Sequence, residues 1–195
     1  MRCYVIGLVV ILALALALAA YLIGIYNGLV SLRENVKVAW ANIDVLLKQR
    51  HDELPKLVET CKRYMQFEQE TLEKVMRART SVSQASSSGN VAAVGAAEQQ
   101  LRAGVGRLFA VAESYPQLKS DETFKQLQSR ITALEESIAD RRELYNDQVN
   151  LNNIRVNVFP DVMIAQRFGF LPAHLLEFTS EEKRDVDVGA LFSST

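Results

Sequence analysis

Residues 3–26 read CYVIGLVVILALALALAAYLIGIY, and this stretch decides the architecture of the chain. It contains no charged, amide or alcohol side chain. As an α-helix it would be about 36 Å long, which is enough to cross a hydrocarbon core of about 30 Å. Tyr4 near one end, and Tyr21 and Tyr26 near the other, suit the aromatic belts of a membrane-spanning helix. We therefore predict that residues 1–26 form a transmembrane anchor.

A cleavable signal peptide is the competing interpretation of the same stretch. Ala17-Leu18-Ala19 resembles a small-x-small cleavage site, and Arg2 would supply a minimal charged start. The apolar run nevertheless continues for seven residues past Ala19 without a polar stretch. This continuity favours a retained anchor.

The charges on either side of the run bear on its orientation. Arg2 precedes it, and Arg33 and Lys37 follow it within twenty residues. Under the positive-inside rule this balance favours a single-pass protein of the cell membrane whose C-terminal part is cytoplasmic.

Beyond Asn27 the apolar residues recur at helical spacing. Val36, Trp40, Ile43 and Leu47 are separated by four, three and four positions, which is the stripe of an amphipathic helix. Three further stripes follow: Val58, Cys61, Met65, Leu72 and Met76; then Val94, Leu101, Val105, Leu108, Ala112 and Tyr115; then Phe124, Leu127, Ile131, Leu134 and Ile138.

Turn-forming residues divide these stripes into predicted helices. Asn27 with Gly28 is expected to end the apolar run, and Pro55 to separate a helix over 30–50 from one over 54–84. The polar stretch 80–90 predicts a loop. A third helix should end at Tyr115-Pro116, and a fourth should run from about 120 to about 158.

These elements predict an all-α fold in which residues 27–178 form an antiparallel up-and-down four-helix bundle with long helices. The alternative is three long helices, the first of them kinked at Pro55. Residues 179–195 are polar and are predicted to be a mobile tail.

Composition excludes several classes of function. Apart from Arg2 the chain carries 21 basic and 23 acidic side chains, so we expect no binding to nucleic acid. Two cysteines and two histidines exclude a disulfide scaffold and a histidine-rich metal centre. Neither histidine has the Glu-x-x-His spacing of a di-iron bundle. No catalytic residue, metal or cofactor is predicted, and we expect a protein that is not an enzyme.

Polar residues at apolar-stripe positions are the candidate site. They are Arg50, Glu68, Arg79, Arg142, Tyr145, Asn146, Asn150 and Asn153. They could form a solvated face, a buried hydrogen-bonded layer that fixes the register of the helices, or a ligand site. For the layer we expect Arg142 and Asn146 to be partly buried and hydrogen-bonded. Replacing Arg142 by alanine would then cost roughly 2–4 kcal/mol, against under about 0.5 kcal/mol for an exposed arginine.

Several motifs resemble the LemA family. They are Tyr26-Asn27-Gly28-Leu29-Val30 after the apolar run, residues 43–50 (IDVLLKQR) followed by 54–58 (LPKLV), Ala78-Arg79, residues 113–116 (ESYP), Glu135, residues 142–146 (RELYN), Asn152-Asn153 and Phe159-Pro160. The resemblance covers roughly residues 1–178. It implies a single-pass, membrane-anchored helical bundle and supplies no catalytic residue. One relative takes part in forming magnetosome membranes, which points to membrane organisation.

Two hypotheses of function follow. The first is a non-enzymatic membrane-anchored bundle that scaffolds or organises a membrane protein assembly, with the bilayer, other membrane proteins and a second copy of the chain as its partners. The second is a membrane-tethered sensory bundle that binds a ligand between its helices.

Overall fold

A computed structural model of the chain describes residues 2–177. Helices are the only regular elements in this part of the chain, which confirms the all-α prediction. They are α1 (Arg2–Lys62), α2 (Gln69–Ser87), α3 (Val91–Ala112), α4 (Pro116–Ser120), α5 (Glu122–Asn157) and α6 (Asp161–Phe168). The predicted tail, 179–195, lies outside the described residues.

Helix α1 is the one helix in the described range that is long and apolar enough to cross a membrane. Its side chains from Tyr4 to Gly24 are all exposed. The predicted end at Asn27-Gly28 is wrong, because α1 continues through both residues. A glycine inside a helix costs about 1 kcal/mol, whereas full burial of a leucine such as Leu29 contributes about 1.5–3 kcal/mol. Tertiary packing therefore outweighs the local preference.

The predicted break at Pro55 is also wrong, since α1 runs through this residue to Lys62. A proline lacks the N–H that would bond the carbonyl four residues earlier, here that of His51. The Nε of Arg79 donates to this His51 carbonyl at 2.8 Å. A side chain from α2 thus replaces the donor that the proline removes, and the helix continues.

The turn after α1 falls later than the sequence predicts. The expected second helix, 54–84, is divided between the end of α1 and α2, with the turn at residues 63–68 between them. The expected loop over 80–90 is also shorter, since α2 continues to Ser87. Gly89 has φ +68°, and the side chain of Asn90 accepts a hydrogen bond from the N–H of Ala93 to cap α3.

The chain forms two compact units. The first unit joins the chain up to Ala41 with Glu143–Ala173, and the second joins Asn42–Arg142 with the segment that starts at His174. Both α1 and α5 contribute to each unit.

The core of the first unit lies where α1, α5 and α6 meet. Its buried residues are Ile25, Leu29, Val156, Ala165 and Phe170. Gly169, at the end of α6, has φ +71°, and this left-handed conformation lets the Phe170 N–H bond the Ala165 carbonyl at 2.9 Å. The glycine therefore turns Phe170 back into the core.

The second unit is built around the C-terminal part of α1, helices α2 and α3, and the N-terminal part of α5. Its largest fully buried side chains include Ile43, Leu54, Leu57, Met65, Leu72, Leu101, Leu108, Leu118, Phe124 and Ile131. The C-terminal segment crosses α3 so closely at Gly95 that a Cβ there would collide with the Glu177 carbonyl oxygen. Only glycine fits this crossing.

Candidate functional site

A charged cluster lies inside the second unit, around Arg50 of α1. This arginine is 2% exposed, and Glu98 of α3, also buried, forms an ion pair with its Nη2. Glu135 of α5 approaches Nη1 at 3.7 Å. One guanidinium thus links three helical segments that are far apart in sequence.

A second carboxylate–arginine contact flanks this cluster. Glu53, one helical turn after Arg50, is 7% exposed and lies 2.9 Å from the guanidinium of Arg130 on α5. Lys56 also approaches Glu53, at 3.3 Å. The cations that face Glu53 are largely exposed, so the second contact connects the buried cluster with the surface.

The cluster contains more buried carboxylate groups than buried cations. One oxygen each of Glu53, Glu98 and Glu135 is buried without a hydrogen-bond donor from the part of the chain that the structure describes. Burial raises the pKa of Glu135 above its ordinary value; Arg50 and Arg102 oppose this rise and Glu98 adds to it. A buried carboxylate with an incomplete set of donors favours its neutral form.

Arg79 and His51 form a separate polar contact in the same unit. Arg79 is half-buried on α2, and its bond to the His51 carbonyl bridges the gap left by Pro55. Burial lowers the pKa of the His51 imidazole, and the positive charge of Arg79 lowers it further. Both effects favour the neutral imidazole, and the charge of Asp52 opposes them.

Asparagines near the end of α5 hold the C-terminal segment in the first unit. The Asn153 side chain donates to the Ala173 carbonyl at 2.9 Å and accepts from the Ala173 N–H at 2.7 Å. Asn152, which is buried, donates to the Leu171 carbonyl at 3.4 Å. This asparagine clamp, Asn152 with Asn153, provides hydrogen-bond partners for the non-helical backbone at Leu171 and Ala173.

The remaining predicted site residues are distributed over both units. Tyr145 is buried and its ring lies 5.5 Å from that of Trp40, measured between centroids. Arg142 and Asn146 are half-buried, and Asn150 is exposed. Glu68 is half-buried in the turn before α2, and its carboxylate accepts from the Thr71 hydroxyl at 3.5 Å. Among the predicted residues, Arg50 and Arg79 make contacts between helices, and Asn153 binds backbone.

Sequence reasoning missed the carboxylates that pair with Arg50. Glu98 follows Val94 by four positions and precedes Leu101 by three, so it occupies a stripe position. Glu135 likewise follows Ile131 by four and precedes Ile138 by three. Both therefore carry the same sequence signal as Arg50, a charged side chain at an apolar-stripe position.

A groove of about 810 Å³ opens near the turn between α1 and α2. Its lining is mostly apolar and comprises Val58, Lys62, Met65, Gln66, Phe67, Gln69, Leu72, Glu73 and Met76. Phe67 is almost fully exposed beside it. The nearby Cys61 is buried, and burial raises the pKa of its thiol to about 12, so this sulfur is not a nucleophile at neutral pH.

The described residues contain no group of three or more histidine, cysteine, aspartate or glutamate side chains that could hold a metal ion. The polar contacts found in the two units join helices and backbone to each other. Their chemistry is that of structural ion pairs and amide hydrogen bonds.

The part of the chain that the structure describes is all-helical, with one candidate membrane helix and polar contacts between its helices. These features define the class as a membrane-associated helical protein. The family model for the LemA family matches residues 39–189, and the chain belongs to this family.

The curated relatives are magnetosome proteins. Magnetosome protein MamQ 2 and magnetosome protein MamQ 1 of Paramagnetospirillum magneticum are each 26% identical over 186 residues, covering 83% of this chain and 68% of the relative. Magnetosome protein MamQ of Magnetospirillum gryphiswaldense is 23% identical over 170 residues, covering 74% of this chain and 62% of the relative. Neither the family name nor these names describe an enzyme.

Proposed function

We propose that this chain is a non-enzymatic, single-pass membrane protein whose helical body scaffolds or organises a membrane protein assembly. The observation that carries the proposal is the continuity of α1. One 61-residue helix begins in an exposed apolar run and ends inside the second unit. The proposed anchor therefore continues into the helical body without a linker.

The proposed body follows the predicted domain organisation. Residues 1–26 are the anchor, 27–178 the helical body and 179–195 a polar tail. We infer that α1, α2, α3 and α5 contribute the four segments of an antiparallel up-and-down bundle in the second unit; Arg50 links three of them, α1, α3 and α5. Sequence-distant ion pairs of this kind fix the register of packed helices. The polar layer is therefore proposed as a structural device.

The magnetosome relatives support a membrane context for the proposal. The basic residues that follow the apolar run, Arg33 and Lys37, favour a cytoplasmic body. A reporter active on one side of the membrane, fused to the C-terminus, is expected to report the cytoplasm. A signal only from the opposite compartment would reverse the proposed orientation.

In-cell photo-crosslinking tests the scaffold role. We would place the crosslinker at Val45, an exposed apolar residue of α1, and a matched control at Lys74 on α2, which is also exposed. Discrete adducts with membrane proteins or with a second copy at Val45, absent at Lys74, are expected. The full chain should also alter the shape of vesicles into which it is reconstituted. A monodisperse protein with no adduct and no effect on vesicles would contradict the proposal.

The groove near Met65 favours a second candidate function, a membrane-tethered bundle that binds a small apolar ligand. Its lining would suit an apolar body with an anionic group near Lys62. A thermal-shift screen of short-chain and long-chain fatty acids tests this candidate, with Lys62→Glu as the control. Stabilisation of about 1 kcal/mol or more that the variant loses would support it.

A further inference from the structure

The first unit carries a cap at the end of the apolar run, formed by residues 158–171, which include α6. Ile25, buried, and Leu29, fully buried, are both covered in this unit, whereas every side chain from Tyr4 to Gly24 is exposed. The transition from exposed to covered helix therefore occurs within one turn of Tyr26.

The depth of this cap follows from helix geometry. A hydrocarbon core of about 30 Å takes up about 20 residues at 1.5 Å each, so a run of 24 residues places both of its ends at the membrane boundaries. Tyr26 is at one boundary. Its ring contacts Phe168 and Phe170 of the cap, with centroid distances of 5.0 and 5.6 Å. The cap thus lies at the depth where hydrocarbon gives way to headgroups.

The outer surface of the cap is apolar. Phe159 is 76% exposed, Met163 62%, Phe168 58% and Leu171 78%. Nothing in the described residues covers these side chains. An exposed cluster of large apolar residues on a protein surface marks an interaction site.

Basic residues accompany this apolar surface. The Arg33 guanidinium lies 5.2 Å from the Phe170 ring centroid, Arg155 pairs with Asp161, and Arg167 is exposed one turn after Met163 on α6. Arg33 and Arg155 keep about half of their side chains exposed. Apolar residues with flanking arginines are the composition of segments that lie in the interface plane, where arginines reach the phosphates of lipid headgroups.

We propose that this cap is an interfacial membrane-docking surface: Phe159, Met163, Phe168 and Leu171 insert into the headgroup–acyl boundary beside the anchor. The occupant of the surface is the phospholipid bilayer. The proposal rests on the membrane anchoring proposed above, because the apolar run brings the cap to this depth. A second contact beside the span restrains the tilt of α1 and orients the body relative to the bilayer.

Fluorescence quenching in vesicles tests the docking surface with the full chain. Trp40→Phe removes the native tryptophan and keeps a ring beside Tyr145. In that background Met163→Trp places a probe on the cap, and Asn150→Trp places a matched exposed probe on α5. The vesicles contain phosphatidylglycerol and a phosphatidylcholine brominated near the headgroup end of its acyl chains.

The cap probe is expected to lose at least about half of its fluorescence to the brominated lipid, while the α5 probe stays within about a tenth of its unquenched value. Iodide in the aqueous phase should quench the α5 probe more strongly than the cap probe. Carbonate washing of the same vesicles reports the anchor separately. Retention after washing with an unquenched Met163→Trp probe overturns the docking surface and leaves the anchor standing; release by carbonate overturns the anchoring on which it rests.

Repeating the quenching measurements at several protein-to-lipid ratios shows whether the bilayer or a second copy of the chain covers the cap. If the cap probe is shielded from iodide only at high protein-to-lipid ratio, and the brominated lipid does not quench it, a second copy of the chain covers the cap. That result also overturns the proposal. Quenching that is independent of the protein-to-lipid ratio supports it.

Discussion

The two units hold their polar interiors by different chemistry. In the second unit the buried groups are charged, with Arg50 among the carboxylates of Glu98, Glu135 and Glu53. In the first unit Asp161 is buried and pairs with Arg155, but neutral amides hold the C-terminal segment: Asn152 is buried, and the half-buried Asn153 makes two hydrogen bonds to the backbone of Ala173. A charge needs a counter-charge and responds to pH, whereas an amide offers a donor and an acceptor together at any pH. The charged cluster ties helix to helix, and the amides tie an irregular segment to a helix.

The largest effect should come from removing the cation of the charged cluster. Arg50→Ala leaves Glu98 and Glu135 buried without their guanidinium, which is expected to cost about 3–5 kcal/mol of the free energy of unfolding. Urea denaturation of the full chain in detergent, followed by circular dichroism, measures this loss. The double variant Arg50→Met/Glu98→Gln removes both partners of the closest pair and should lose clearly less. Equal losses in both variants would show that the ion pair is not what the single substitution disrupts.

The asparagine clamp should have the next largest effect. Asn153→Ala removes both hydrogen bonds to Ala173, and that from the Asn152 amide, and leaves the N–H and carbonyl of Ala173 without this partner, at a cost of about 2 kcal/mol. Asn150→Ala, an exposed asparagine on the same helix, should change stability by less than about 0.5 kcal/mol. Hydrogen exchange at the amide of Ala173 provides a local measurement, and it should accelerate only in the Asn153 variant. The same loss in both variants would argue against a clamp.

The link between Arg79 and Pro55 through the His51 carbonyl allows a double-mutant cycle. Arg79→Ala removes the donor to the His51 carbonyl and is expected to cost about 1.5 kcal/mol. In a Pro55→Ala background the backbone N–H of residue 55 returns to that carbonyl, so the same substitution should cost about 1 kcal/mol less. The free energies of unfolding of the wild-type chain, the two single variants and the double variant give the coupling energy between the two positions. Additive losses would show that Arg79 stabilises the protein by another contact.

The smallest expected effect is the contribution of Glu135 to the pH dependence of stability. Because the pKa of Glu135 is raised in the folded protein, the folded state binds more protons than the unfolded state between the ordinary and the raised pKa. Stability from this group is therefore full below the ordinary pKa and decreases as pH rises through the folded one. Glu135→Gln should remove this decrease and leave stability at pH 7 unchanged or slightly higher. Denaturation from about pH 4, below the ordinary pKa of a glutamate, to about pH 8 measures the slope. An identical slope in both chains would show that Glu135 does not titrate in this range.

The sequence identified key polar residues of both units, but not the groups to which they bind. Arg50 and Asn153 stand out because each occupies the interior position of a helical stripe, and that position is a local property of spacing. Their partners could not be derived in the same way. Glu98 is 48 residues from Arg50, and Ala173 is a backbone acceptor without any side-chain signature. Only the packing of helices decides which polar group meets which.

By itself the sequence determined the all-α class, the apolar run of residues 3–26 and membership of the LemA family, because composition, periodicity and motif order are local features. The tertiary structure decided where the helices end. Asn27, Gly28 and Pro55 are locally unfavourable in a helix, yet α1 passes through all three. The physical reason is that Leu29 is buried in a core and Arg79 replaces a missing donor, and both come from segments distant in sequence. A local penalty of one to about three kcal/mol is offset only when such contacts form.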